Sequence, residues 1–545
     1  MEDGSAIALS SALDQRLDII AAALGIAAPV GRERHVRFVE LLRERLPPDR
    51  AAFVLYQLFL ARLATQQEIE SLGRMPDCER AEAVADFFLD SAEFKQGLQS
   101  TVRFETPPRD ALLIDVSLTL TNPHNTGIQR VVRCAAEQMA AEGLEHRLIG
   151  FDSRLNQYRV LDAEAASSLI RWERPRKRSS LRLAEKLAPL KNALRRIVGK
   201  EVSETVRAFA RAWRDARRDL RARRNKLKSA KDNGGAKTCL FLWDHRLLIP
   251  EVFGDIYRLE RTKSLLAHTP LAATLIVYDL IPLQYPEFCS SSDGFIHYLS
   301  LLRHVDRISC ISRTVEDDVR QLLPLIPRDR LPPVVETHYL GGDFDFSRAP
   351  AVVAGGETPV VLCVGSIETR KNQMGVLRAM VAAQDRGCRF RGVFVGKVDT
   401  AAEPFLHEVS LLQSRGYTVE VRPSVGEAEL QELYSQSLFT MFCSFAEGFG
   451  LPIVESVVKG VPCIVSDRGC MREIAEKVGG CVFVDPQSDA ALADAVEGLF
   501  RDGARRDALR AEARGAVWPT WRDYAREIHD FATADSAEII ARDAA

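Results

Sequence analysis

Twice along this chain, short uninterrupted apolar runs alternate with stretches of helical period, and that rhythm limits the fold more than any other feature. The first series predicts strands at Ala111–Val116, His146–Phe151, Cys239–Trp243, Thr274–Asp279, Arg307–Ile311 and Val334–Thr337. The second predicts strands at Val360–Val364, Arg391–Val395, Thr418–Val421, Leu438–Cys443, Cys463–Ser466 and Cys481–Val484. A run such as Ala273-Thr274-Leu275-Ile276-Val277-Tyr278 has no polar face, as expected of a strand covered on both sides in a parallel sheet. Strands of this kind alternating with helices build doubly wound α/β domains. An Ala/Gly/Pro-rich stretch from Ala349 to Glu357 separates the two series, so two such domains are expected, facing each other across a cleft. Ligands bind beyond the carboxyl ends of such strands, which places the chemistry in that cleft.

At 545 residues the chain exceeds a single core, since domains usually hold about 100–150 residues, and three or four folded units are expected. From Arg32 to Thr101 the pattern is helical, with Phe53, Tyr56, Leu60 and Leu63 at three- and four-residue spacing and no strand signal. Within it, Tyr56-Gln57-Leu58-Phe59-Leu60-Ala61-Arg62 and Asp90-Ser91-Ala92-Glu93-Phe94 resemble domain-of-unknown-function family 4214, which is found attached to bacterial surface-polysaccharide and secreted proteins. Thr106-Pro107-Pro108 breaks the chain after it. The division expected is a helical module over 1–105, a first Rossmann-like domain over 106–348, a second over 349–520, and a crossover helix with tail over 521–545.

Hydrophobic residues at 46% and charged residues at 27% describe an ordinary globular protein and exclude disordered and fibrous classes. The net charge of −2 conceals a basic insert inside the first α/β domain: residues 171–231 hold 22 Lys/Arg against 6 Asp/Glu. Leu183, Leu187, Leu190, Leu194 and Ile197 follow a helical spacing there beside Arg182, Lys186, Lys191, Arg195 and Arg196. Such a segment suits an anionic membrane surface; a solvated charged hairpin stands beside that reading. Nucleic acid is disfavoured, because only Trp172, Phe209 and Trp213 offer stacking faces among so many charges. Eleven cysteines without a CxxC pair or zinc spacing read as reduced thiols. The first apolar run, Ile19 to Val30, follows Asp14, Arg16 and Asp18 rather than a basic leader, and no run reaches the length of a membrane span. A cytoplasmic protein, peripheral on the inner face of the plasma membrane, is the expectation.

The richest local pattern is Glu447-Gly448-Phe449-Gly450-Leu451-Pro452-Ile453-Val454-Glu455. Two glycines let backbone approach a ligand, Pro452 suits the first turn of a helix, and a phosphate sits well on the N–H groups of such a helix start. Glu447 lies before the turn, facing the cleft, and Glu455 about one turn inside the helix. This stretch resembles the E-x7-E motif of glycosyltransferase family 4, whose members have the GT-B fold of two Rossmann-like domains. Ser444-Phe445-Ala446 before it and Gly460-Val461-Pro462-Cys463-Ile464-Val465-Ser466 after it agree with that family. The resemblance implies that Glu447 contacts the transferred sugar and Glu455 the ribose of the donor, with Gly448, Phe449, Gly450 and Leu451 lining the donor site.

Gly365-Ser366-Ile367-Glu368-Thr369-Arg370-Lys371-Asn372 ends the first strand of the second domain and resembles the family's G-x-x-x-x-x-K-N segment. Arg370 and Lys371 there would neutralise a diphosphate and the charge that grows on it as the glycosidic bond breaks. Thr126-Gly127-Ile128-Gln129-Arg130 is similar to the family's glycine loop, so Gly127 would bring backbone near the donor. Tyr278-Asp279-Leu280-Ile281-Pro282-Leu283-Gln284-Tyr285-Pro286-Glu287 resembles the H-D-x-x-P-x-x-x-P-E segment of polysaccharide mannosyltransferases. Tyr278 stands where many members place a histidine; a phenol still hydrogen-bonds a hydroxyl, but Asp279 is the better cleft candidate. Asp343-Phe344-Asp345 matches a D-x-D metal pattern that belongs to a different glycosyltransferase architecture, so no metal and no cofactor are expected. Trp518-Pro519-Thr520-Trp521 and the helical pattern after it resemble the family's closing segment, whose last helix returns to the first domain.

The resemblance implies a retaining hexosyltransferase in bacterial surface-glycan synthesis that draws on GDP-mannose or a UDP-sugar. Its acceptor would be a lipid-linked or polysaccharide chain. Two other readings are a GT-B-type nucleotide-sugar epimerase, which forms product from donor alone, and a non-catalytic scaffold recruited through the helical module and basic insert. Deleting Arg174 to Lys228 is expected to abolish sedimentation with anionic liposomes while sparing donor binding; unchanged sedimentation would defeat the membrane reading.

Overall fold

The computed structural model describes residues 2–31, 33–95, 102–122, 127–170, 237–289, 292–328, 330–342, 358–399, 402–423 and 425–535. The basic insert 171–231, the Ala/Gly/Pro-rich stretch 349–357, Thr126 and Asp343-Phe344-Asp345 lie outside the described residues.

Two sheets carry the molecule. The first joins β2 (Leu112–Asp115), β3 (His146–Asp152), β4 (Gln157–Val160), β6 (Arg246–Ile249), β7 (Ala272–Val277), β8 (Arg307–Cys310) and β9 (Val334–Thr337). Their spatial order is β4-β3-β2-β6-β7-β8-β9, parallel throughout except for the antiparallel β3–β4 edge. The second joins β10 (Val360–Val364), β11 (Arg391–Val395), β12 (Val419–Arg422), β13 (Ser437–Phe442), β14 (Cys463–Ser466) and β15 (Cys481–Val484). It is wholly parallel, in the order β12-β11-β10-β13-β14-β15. Every residue of β2, β8 and β14 is buried, as both-faced coverage requires.

The main departure from the sequence reading lies at residues 237–249. The run expected as a sheet strand over Cys239–Trp243 starts earlier, as β5 (Lys237–Leu240), and pairs in parallel with β1 (Val102–Glu105) in a separate two-stranded ribbon. His245 sends its Nε2 to the Pro107 carbonyl at 3.1 Å, and the chain then enters the main sheet as β6 instead. β1 (Val102-Arg103-Phe104-Glu105) and β4 (Gln157-Tyr158-Arg159-Val160) carry a polar residue at every second position and β6 opens on Arg246, so none of the three prints as the continuous apolar run that marks a strand such as β10.

The N-terminal helices share a continuous apolar core with the first sheet. Pro48–Leu60 is buried at every position from Ala51 to Leu60, the signature of a central helix. Fully buried Arg16 donates to the carbonyls of Leu58 and Val102, and the Phe53 ring stacks on His268 at 5.7 Å. Arg62 forks to Glu68 and Glu93 at 2.8 and 2.7 Å, and Glu68 also completes a capping box with Thr65.

The two sheets meet along a seam of close approaches. A Cβ on Gly341 would lie 2.4 Å from the Trp521 backbone nitrogen, and one on Gly342 would lie 2.5 Å from the Trp518 ring. Gly342 N–H donates to the Pro519 carbonyl, and Trp518 Nε1 donates to Leu340. The helix Trp521–Thr533 then lies on the first domain, where Arg522 meets Glu142 at 2.9 Å. Elsewhere on the seam Glu473, from the second domain, accepts from the backbone N–H groups of Arg313 and Thr314 and from the Thr314 and Tyr339 hydroxyls, all at 2.7–2.9 Å. A carboxylate thus sits on the N-terminus of the first domain's helix Arg313–Leu322, where the helix dipole favours it.

Replacing Glu473 by Ala is expected to lower unfolding stability by about 1–2 kcal/mol, the usual worth of a helix-terminal carboxylate together with its cap. An unchanged denaturation midpoint would show that the clasp contributes nothing.

Candidate active site

In the second sheet β10 and β13 are neighbours, and the chain leaves them toward opposite edges, so the crevice beyond their carboxyl ends is the topological switch point. Both of the richest sequence patterns open from these two strands. After β10, Gly365 has φ +150°, and a Cβ there would come 3.0 Å from the Lys371 side chain. Thr369–Lys371 forms a single tight turn, and Asn372 closes it in the left-handed region with φ 54° before the helix Gln373–Asp385 begins. That reversal lays Arg370 and Lys371 against the loop that follows β13.

Glu447 receives them both. Arg370 Nη1 lies 2.8 Å from its Oε2 and Lys371 Nζ 2.6 Å from its Oε1, and the Ser444 hydroxyl donates to Oε1 at 2.8 Å. Burial would push this carboxyl up, but the two cations outweigh burial and hold it down at about 2. Arg370 also reaches Glu368 at 2.7 Å, and the Ser366 hydroxyl donates to the same Glu368 oxygen. The sequence reading has the two cations facing the cleft as partners for a diphosphate. In the structure each is already paired with a carboxylate.

Gly448 also meets the first domain. A Cβ there would fall 1.8 Å from the Tyr278 carbonyl oxygen and 3.0 Å from Asp279 Cβ, and the Gly448 carbonyl accepts from the Ser312 hydroxyl at 2.8 Å. The backbone that the missing side chain admits is that of the first domain. Tyr278, which stands where many family members have a histidine, donates its hydroxyl to the Pro250 carbonyl at 2.8 Å inside the first domain. Asp279 faces the cleft. Its carboxyl accepts from Ile281 N–H, and burial, chiefly, pushes its pKa up against the opposing charge of Arg370.

Phe449 is buried and meets the Trp518 ring edge-on at 5.9 Å, so it packs the seam. Gly450, at φ +120°, turns the chain into the helix Leu451–Val458, with Pro452 in the first turn. Glu455 is 5% exposed, and both of its oxygens are engaged at 2.8 Å: Oε2 by the Tyr434 hydroxyl, Oε1 by Arg130 of the first domain. Gly127 opens the helix Gly127–Ala141 with open space where a side chain would be, one turn before Arg130.

The structure therefore brings Arg370, Lys371, Glu447, Ser366 and Asp279 together and places Gly448 and Phe449 in the seam. Arg130, Glu368 and Ser444 belong to the same neighbourhood and were not singled out from the sequence. Arg130 had a signal, since it follows Gly127 by three residues on the same helix face. Among the described residues no group of three or more His, Cys, Asp or Glu is arranged to hold a metal ion. No helix among them is long and apolar enough to cross a membrane.

Residues 348–516 match the family Glycosyl transferases group 1. Escherichia coli serotype-specific mannosyltransferase WbdA is 29% identical over 279 residues, which is 46% of this chain and 32% of that protein. A GDP-mannose-dependent alpha-(1-6)-phosphatidylinositol monomannoside mannosyltransferase of Mycobacterium tuberculosis is 27% identical over 194 residues, 33% of this chain and 49% of that protein. The chain thus matches about a third of the length of the first relative and half of the second. Among solved structures, sucrose-phosphate synthase from Thermosynechococcus elongatus superposes with a TM-score of 0.50 at 17% identity, covering 79% of this chain and 99% of that one. Anabaena HepE in complex with UDP and glucose gives 0.50 at 14% identity with the same coverage. Residues 348–516 are thus similar to a group 1 glycosyltransferase domain, and the chain has the GT-B fold.

Proposed function

We propose that the chain transfers a hexose, mannose in our reading, from a nucleoside-diphosphate donor to a lipid-linked or polysaccharide acceptor in bacterial surface-glycan synthesis, with the anomeric configuration retained. The observation that carries this is the cluster of Arg370, Lys371 and Glu447 at the switch point of the second sheet, faced across the seam by Asp279. Two mannosyltransferases among the relatives, one of them GDP-mannose-dependent, favour mannose; the UDP and glucose in the Anabaena neighbour keep a UDP-sugar in view. The basic insert 171–231 would hold the enzyme to an anionic membrane from the cytoplasmic side.

The chemistry follows from exchange of partners. A diphosphate seated at the start of the helix Leu451–Val458 takes Arg370 and Lys371 from Glu447 and Glu368. Glu447, released by both cations, then turns its oxygens to the hydroxyls of the transferred sugar as hydrogen-bond acceptors. Asp279 stands on the opposite wall to orient that sugar. The acceptor hydroxyl attacks the anomeric carbon on the face the diphosphate leaves. The new C–O bond forms as the bond to phosphate breaks, the electron pair stays on the diphosphate, and its oxygen takes the acceptor's proton. Arg370 and Lys371 bind the diphosphate most strongly at that moment, which is the differential stabilisation that catalysis needs. On the same reading the donor ribose takes the Glu455 oxygen that Arg130 holds.

Incubation with a panel of nucleotide sugars should release nucleoside diphosphate in an acceptor-dependent way. Absence of binding to every nucleoside diphosphate would sink the proposal, and product from donor alone would favour an epimerase. Lys371→Ala is expected to lower kcat about 100- to 1000-fold, the usual effect of deleting one preorganised charge-stabilising group. Arg130→Ala is expected to tighten nucleoside-diphosphate binding about threefold to tenfold by calorimetry, since the ribose then displaces no ion pair. Weaker binding would show that Arg130 contacts the donor itself.

A further inference from the structure

A cavity of about 630 Å³ opens in the second domain beside the transfer site. Ile367, Glu368, Thr369, Phe405, Phe445 and Gln487 are among its lining residues; Glu447, Lys371 and Glu455 are not. It adjoins the site through two links. Glu368, on its wall, holds Arg370, and Phe445 N–H donates to the Arg370 carbonyl at 2.8 Å.

The wall chemistry selects the ligand. Its charged side chains are Glu368, Asp489 and Arg378, two carboxylates against one guanidinium, which disfavours a phosphate. Hydroxyl and amide groups of Thr369 and Gln487 stand at the exposed rim and suit an uncharged ligand rich in hydroxyls. The rim also begins an aromatic strip. Phe445 lies parallel to Phe288 of the first domain, centroids 6.0 Å apart and planes within 3°, and Tyr285 follows at 6.0 Å from Phe288 with 37% of its surface exposed. Flat apolar faces beside polar groups match a sugar, whose ring has one C–H face and an edge of hydroxyls.

We infer that the cavity and the strip Tyr285, Phe288 and Phe445 form a subsite for an uncharged saccharide chain, which holds the growing acceptor several sugar units from the transfer site. The inference rests on the transferase reading and deepens it: the acceptor is an oligosaccharide, and the strip joins both domains, so the chain is gripped only when they are docked.

The test titrates the full chain with manno-, gluco- and galacto-tetraose and the matching monosaccharides, by calorimetry and saturation-transfer NMR, beside titration with GDP and UDP. A tetraose is expected to bind, with saturation reaching its ring protons, and its monosaccharide to bind more weakly. Phe288→Ala and Gln487→Ala are each expected to weaken tetraose binding about threefold to tenfold and to leave nucleotide binding unchanged. Thermal melting checks the Phe288 variant for folding, and Gln487→Ala, at an exposed position, stands in if it fails. Tetraose binding that neither substitution alters overturns the subsite, as does nucleotide binding with no tetraose bound. Failure to bind any nucleotide overturns the transferase reading instead.

Discussion

The site is organised by one carboxylate held between two cations. Glu447 is 11% exposed, and a buried charge is tolerated only when paired and hydrogen-bonded, which Arg370, Lys371 and Ser444 accomplish. The arrangement ties the loop after β10 to the loop after β13, so the two walls of the crevice are fixed by the same bonds that would be exchanged for a donor. Gly365, Asn372 and Gly450 supply the backbone conformations that let these loops meet.

The seam between the domains depends on backbone approach. At Gly341, Gly342 and Gly448 any side chain would collide with Trp521, Trp518 or the Tyr278 carbonyl, so these glycines set how closely the domains sit. Charge completes the contact: Glu473 on the helix start at Arg313, and Glu455 on Arg130. Each pairing joins one domain's helix to the other's loop or helix, so the relative position of the domains and the state of the cleft are coupled through a few polar groups.

The fold was legible because parallel strands buried on both faces print as continuous apolar runs; ten of the twelve expected strands of the two series start within a residue of the observed ones, as at Val360–Val364 and Cys463–Ser466. Misreadings came where a strand lacks a continuous apolar run or a neighbouring run competes for its place. The run at Cys239–Trp243 is apolar enough for the sheet, yet it pairs with Val102–Glu105 and its neighbour Arg246–Ile249 takes the place beside β2. At the site, the residue types at Glu447, Arg370 and Lys371 were readable from their spacing, but their mutual pairing was not, because 76 residues separate Lys371 from Glu447.

The sequence by itself determined two doubly wound domains and a set of chemically apt residues at the carboxyl ends of their strands, since periodicity and glycine placement are local properties. Only the tertiary structure decided which residues face the cleft. Tyr278 turned its hydroxyl inward to Pro250, Gly448 became a seam contact, and Arg130 reached Glu455 from the opposite domain. Those outcomes depend on how closely two domains dock, a quantity fixed by side-chain packing across hundreds of residues of chain and carried by no single stretch of it.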